Sequence, residues 1–118
     1  SFTGSLLNLE NNVKLNGLFV SQNYLSGTLP DFSNLPALHY LQVHQNDFDG
    51  SVSESNIFEH PGLLYATLSG NPKLTGTFPS VLSLPTLQVF IMEGCSLTGP
   101  LPRTIKSNLT QLYLAGNR

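Results

Sequence analysis

The chain has 118 residues and a formal net charge of −2, from five Lys and Arg against seven Asp and Glu. Only 10% of its residues are charged, against about 25% in ordinary soluble domains, so Ser, Thr, Asn, Gln and Gly must coat much of the surface. The scattered basic residues form no patch suited to nucleic acid, no apolar run approaches the ~18 residues of a membrane helix, no signal peptide is evident, and the single cysteine excludes an internal disulfide.

Residues 1–14 read as the back half of a repeat, because Gly4 stands 23 residues before Gly27, with Phe2 matching Leu25 and Leu6 matching Leu29. Copies then begin at Leu15, Leu38, Leu63 and Leu87, with a truncated one at Leu109, in steps of 23, 25, 24 and 22 residues. A second landmark, at Asn23, Asn46, Asn71, Cys95 and Asn117, advances by the same four steps. Two landmarks that keep one spacing mark a solenoid, in which each unit touches only its neighbours and the core is a line. Because the sequence opens and closes within a repeat, it is expected to be an excerpt of a longer solenoid, with neighbouring segments as contacts.

Within each copy, Leu15, Leu18 and Val20 end in apolar–polar alternation, which predicts a short strand with one buried face. Stacking in parallel, these strands would line the concave side. The buried columns run Leu18, Leu41, Ala66, Phe90, Leu112 and Val20, Val43, Leu68, Met92, Leu114. Ala66 beside Phe90 reads as small-against-large compensation in one layer. The asparagine column comes where the chain turns off the strand and its buried backbone groups need partners. An amide carries both donor and acceptor, so Asn23, Asn46, Asn71 and Asn117 are expected to form a structural ladder, with Cys95 as a compact substitute.

After the asparagine come Leu25, Gly27, Leu29, Pro30; then Phe48, Gly50, Val52; Leu74, Gly76, Phe78, Pro79; and Leu97, Gly99, Leu101, Pro102. This alternation predicts a second extended segment, with glycine where backbones bend or approach closely. The run L-x-x-L-x-x-N-x-L-x-G-x-L-P resembles the plant-specific class of leucine-rich repeats, found in receptor-like kinase ectodomains, receptor-like proteins and polygalacturonase-inhibiting proteins. The likeness covers essentially the whole chain. Three positions depart from it: Ser53 replaces proline, one residue is added between Asn71 and Leu74, and Cys95 replaces asparagine. On the convex side Phe32, Leu35 and Leu38 are matched by Val81, Leu84 and Leu87, a period near three that, with Pro36 and Pro85, predicts 3₁₀ turns in both places. The longer connection from Ser53 to Gly62 is expected to carry one helical turn with Ile57 and Phe58 inward. The expected fold is an α/β solenoid, a right-handed leucine-rich-repeat superhelix with a parallel concave sheet and a 3₁₀ or loop convex side.

No constellation supports catalysis, a metal or a cofactor. His39, His44 and His60 fall at three different repeat positions, and no phosphate-cradling Gly loop, C-x-x-C or H-x-x-x-H spacing occurs. The concave face is the default binding surface of a curved solenoid. Its outward columns are Gly17, Tyr40, Tyr65, Val89, Gln111; then Phe19, Gln42, Thr67, Ile91, Tyr113; then Ser21, His44, Ser69, Glu93, Ala115. Six of the ten residues in the first two columns are aromatic or branched aliphatic, which suits an interaction surface but also follows from strand propensity. The outward residues of the L-x-G-x-L segment (Thr3, Ser26, Asp49, Thr75, Thr98 and Ser5, Thr28, Ser51, Thr77, Pro100) form hydroxyl columns that raise ice binding as a remote alternative. Asn108-Leu109-Thr110 is an N-glycosylation sequon. The resemblance implies a non-catalytic, extracellular module that binds a protein or peptide ligand, most like a receptor ectodomain, with an enzyme inhibitor or scaffold as the second reading.

Overall fold

The computed structural model describes residues 1–6 and 8–118. In chain order its strands are β1 (Thr3–Gly4), β2 (Gly17–Phe19), β3 (Tyr24–Thr28), β4 (Tyr40–Gln42), β5 (Asp47–Ser51) and β6 (Tyr65–Thr67). They continue as β7 (Lys73–Gly76), β8 (Val81–Leu84), β9 (Val89–Ile91), β10 (Ser96–Leu97), β11 (Thr104–Ser107) and β12 (Gln111–Tyr113). Among the described residues, helical structure is confined to 3₁₀ turns at Phe32–Asn34, Val52–Ser55 and Ile57–Glu59. The molecule is a parallel leucine-rich-repeat solenoid, and its described residues include no α-helical layer.

The concave sheet is β2-β4-β6-β9-β12, and every pairing joins equivalent positions of successive copies. Leu18 lies beside Leu41, Leu41 beside Ala66, Ala66 beside Phe90, and Phe90 beside Leu112. The first four of these, with Val43, Leu68 and Met92, are buried in one continuous core. Each fully buried large side chain contributes about 1.5–3 kcal/mol of transfer free energy. Phe90 also joins Phe58 and Phe78 in a ring cluster, with centroids 5.1 to 6.3 Å apart.

The chain leaves each strand through a residue of positive φ, namely Gln22, Gln45, Gly70, Gly94 and Gly116. The next residue is the ladder position. Asn46 accepts from the Leu25 amide at 3.0 Å and donates to the Val20 and Val43 carbonyls. Asn71 accepts from the Phe48 amide at 3.1 Å and donates to the Val43 and Leu68 carbonyls. Asn23 accepts from the Phe2 amide, and Asn117 from the Leu97 amide. Each amide thus serves its own turn and that of the coil before it.

Two of the departures from the repeat explain each other here. Cys95 cannot offer the acceptor that an asparagine would give the Leu74 amide; its Sγ donates to the Leu68 and Glu93 carbonyls at 3.5 and 3.7 Å. The extra residue after Asn71 closes a turn, Asn71 to Leu74, in which the Leu74 amide donates to the Asn71 carbonyl at 3.0 Å. The donor that a missing asparagine would strand is therefore satisfied locally.

The second sheet, β1-β3-β5-β7-β10, is built differently. Its strands stagger, so that Thr28 pairs with Asp49 and Asp49 with Lys73, each two residues short of the repeat equivalent. The stagger lays the hydroxyl side chain of one coil against the glycine of the next. A Cβ on Gly76 would stand 2.9 Å from Ser51 Oγ and 3.3 Å from the Val52 amide nitrogen, at a φ of +124°. Only glycine fits there.

The convex side corrects one expectation. Phe32, Leu35 and Leu38 are buried around the 3₁₀ turn that the period of three implies, and Ile57 and Phe58 point inward from the long connection. In the matching stretch Val81–Leu84 is instead strand β8, paired with β11, and the Leu87 amide closes the turn after it on the Leu84 carbonyl as Leu38 does on Leu35. Leu84 and Leu87 are buried as that period implies, but Val81 is 46% exposed and Leu82 is buried in its place. Alternation prevailed over the period of three because Leu82 stands where the earlier copy has the polar Ser33.

Candidate binding face

The in-register concave sheet presents the outward residues as columns. Tyr40 lies beside Tyr65 and Tyr65 beside Val89, and in the next column Phe19 lies beside Gln42 and Ile91 beside Tyr113. Hydrogen bonding runs on past the strands, since the Gln22, Gln45, Gly70 and Gly94 amides donate to the His44, Ser69, Glu93 and Ala115 carbonyls. The third column, with His44 and Glu93, is therefore held by the same ladder.

Three aromatic residues stand out to solvent on this face: Phe19 at 61%, Tyr113 at 44% and Tyr40 at 42% exposure. The Phe19 ring lies over Gly17, where any side chain would collide with it. Gln111 is exposed, whereas Gln42, Tyr65, Val89, Ile91, His44 and Glu93 are partly buried. Thr67 differs from its column, because it is only 5% exposed. It is smaller than Gln42 and Ile91, its register partners, and than Tyr65 two residues before it, so it lies recessed between them, at the floor of the face.

A shallow depression of about 480 Å³ opens beside these columns, lined by His44, Tyr65, Ser69, Glu93 and the turn residues Gln22 and Gln45. The two glutamines were not candidates from the sequence. Their signal was positional, as each immediately precedes a ladder asparagine. Ser21 Oγ and His44 Nδ1 are 2.8 Å apart, and the Glu93 amide donates to Ser69 Oγ at 2.9 Å, so hydrogen bonds between coils hold the third column in place.

The other titratable groups have structural settings. Asn16 Nδ2 lies 2.6 Å from His39 Nδ1. His60 is buried; its Nδ1 accepts from the Gly62 amide, which leaves Nε2 to donate to the Leu35 carbonyl at 2.8 Å. Burial pushes the Cys95 thiol pKa up, partly offset by a backbone hydrogen bond from Asn71, the opposite of what a reactive thiolate needs. Asn108 is exposed between β11 and β12. On the hydroxyl face the uniform stagger sets equivalent hydroxyls obliquely from coil to coil, with Asp49 and the Lys73–Asp47 ion pair at 2.7 Å among them. No described helix is long and apolar enough to cross a membrane.

The chain is similar to plant receptors. It is 37% identical over 100 residues to receptor-like protein 41 of Arabidopsis thaliana, covering 83% of this chain and 11% of that protein. It is 39% identical over 87 residues to the receptor protein-tyrosine kinase CEPR1 of the same plant, covering 72% of this chain and 9% of the kinase. Cuscuta receptor 1 of Solanum lycopersicum matches at 29% identity over 125 residues, covering 100% of this chain and 11% of that receptor. No protein-family model matches. The chain spans about a tenth of the length of the curated relatives it matches. With five-stranded concave and second sheets, an asparagine ladder and this kinship, the chain belongs to the plant-type leucine-rich-repeat family.

Proposed function

We propose that the chain is a non-catalytic recognition segment of a receptor-type extracellular solenoid, and that a protein or peptide ligand lies across the concave strands. The observation that carries this reading is the set of solvent-facing aromatics, Phe19, Tyr40 and Tyr113, joined by Tyr65, Val89 and Ile91 on one in-register sheet. An apolar patch with a polar margin is the surface a soluble protein keeps for a partner, and tyrosine serves there because it offers apolar area and a hydrogen-bonding tip. Gln42, His44, Glu93 and Gln111 supply the margin, and the recessed Thr67 lines the depression between them. Kinship with plant receptors supports the same reading.

The test is a Tyr40→Ala, Tyr65→Ala double variant, assayed against peptides selected from a displayed library on the unaltered chain. Binding should fall by about tenfold or more, as for truncation of interface tyrosines; affinity unchanged across all selected peptides would refute the concave site. The extracellular part of the reading predicts that the exposed Asn108 acquires a glycan when the chain passes through a secretory pathway. That is read as a glycosidase-sensitive increment in intact mass, and an unmodified Asn108 removes this support.

A further inference from the structure

The depression on the concave face has its origin in the sizes of neighbouring residues. On the third coil Tyr65 is followed by small residues at the next outward and turn positions, Thr67, Ser69 and Gly70. The coil before carries Gln42, His44 and Gln45 in the same places, and the coil after carries Ile91 and Glu93 beside Thr67 and Ser69. Parallel strands lie about 4.8 Å apart, so the two raised coils stand roughly twice that distance from each other, a width for one side chain. The depression of about 480 Å³ follows this track from Tyr65 to Gly70.

Its two halves differ in chemistry. Tyr65 and Ile91 give the first half an apolar lining over the Thr67 floor, and Ser69 and Glu93 line the second. Glu93 is the only Asp, Glu, Lys or Arg in the three outward columns of the concave face. It is partly buried, and among the described residues only its backbone is engaged, the amide donating to Ser69 Oγ at 2.9 Å and the carbonyl accepting from the Gly70 amide. His44 stands on the opposite wall and forms no ion pair with it. A ligand lying across the strands removes the remaining water from the Glu93 carboxylate, and a charge covered without a partner is strongly unfavourable. No Lys or Arg of this face can supply that partner, so it has to come from the ligand.

We propose that the ligand of the concave face anchors itself by one Lys or Arg side chain laid along the third coil, its methylene stem against Tyr65 and Ile91 and its cationic head at Glu93. This deepens the receptor reading and rests on it, because the carboxylate keeps its water until a ligand covers the strands. A long basic side chain suits both halves of the groove, being apolar along its stem and charged at its tip. An acidic side chain would bring like charge to Glu93, and a wholly apolar one would leave the carboxylate unpaired.

The experiment selects linear seven-residue peptides from a random displayed library on the unaltered chain, then measures their affinity for it and for Glu93→Gln, which keeps the side chain's shape. The expected peptides share one Lys or Arg position. Glu93→Gln should weaken them by about tenfold or more, the loss of a charge-assisted hydrogen bond. Replacing the shared residue by norleucine or citrulline should cause a similar loss on the unaltered chain and little further loss on Glu93→Gln, since both changes delete one contact. The amide resonances most sensitive to that replacement should be those of Ser69, Gly70 and Glu93. Peptides that lose affinity in the Tyr40→Ala, Tyr65→Ala variant but share no basic residue, bind Glu93→Gln undiminished, or show additive losses would overturn the anchor and leave the concave site standing. Enrichment of no peptide, or affinity indifferent to both variants, would overturn the anchor and the site together.

Discussion

Two convex segments of nearly identical length and frame take different conformations. Residues 30–38 read P-D-F-S-N-L-P-A-L and residues 79–87 read P-S-V-L-S-L-P-T-L. The first turns through 3₁₀ at Phe32–Asn34, and the second runs as β8. Prolines and two leucines coincide and five positions differ, two of which bear directly on the conformation. Asp31 caps the first turn, accepting from the Ser33 amide at 3.0 Å and from Ser33 Oγ at 2.6 Å, whereas Ser80 has no such carboxylate. Leu82 occupies the place of Ser33, and burying Leu82 and Leu84 together requires side chains to alternate. Local capping favours one outcome and apolar spacing the other. The mismatch between the long 3₁₀ connection and β8 leaves a cleft of about 450 Å³ beside Phe58 and Phe78.

The largest expected effect is at the junction itself. Phe90→Ala empties the centre of the ring cluster with Phe58 and Phe78 and should cost about 3–5 kcal/mol, measured by denaturant unfolding. A cost under about 1 kcal/mol would mean that the two convex conformations do not share a core. A smaller effect tests the comparison directly. Ser80→Asp with Leu82→Ser gives the later segment the capping and spacing of the earlier one. It should lose about 2–4 kcal/mol of buried leucine and release the β8–β11 ladder, seen as faster amide exchange at Thr104 and Lys106. Retained protection at both amides would show that tertiary pairing, not spacing, holds β8.

The smallest effect concerns the cap. The side-chain hydrogen bond from Asn56, and then those from Ser33, hold the Asp31 carboxyl below its ordinary value of 3.8. A carboxylate so lowered contributes stability that is full above the ordinary value and is lost as pH falls through the lower folded value. Acidification below about pH 4 should therefore loosen the first segment slightly while leaving β8 unaffected. Asp31→Ala should remove that acid-dependent component from the thermal midpoint. Identical acid profiles for the variant and the unaltered chain would separate the cap from the 3₁₀ turn.

Much of this molecule was legible in its residues. The equal steps of leucine and asparagine set the solenoid and its parallel concave sheet, because a repeat that stacks on itself places equivalent residues side by side. The same regularity located the outward columns of the candidate face. Exposure within those columns was not legible. Thr67 is recessed because its neighbours happen to be large, and Phe19 lies flat because residue 17 is glycine. The compensation of Cys95 by the residue inserted after Asn71 was visible as two departures, but their connection needed the hydrogen bonds of the Asn71–Leu74 turn.

What the sequence determined by itself is the coil: which residues face the core, where the chain turns, and which amide serves each turn. Those follow from local periodicity and from the donors and acceptors each side chain carries. Only the tertiary structure decided how unlike coils meet. The stagger of the second sheet, the choice of strand over 3₁₀ at β8, and the cleft beside Phe58 and Phe78 all depend on packing between neighbouring coils. That packing weighs the side chains of two repeats at once, which no single repeat can encode.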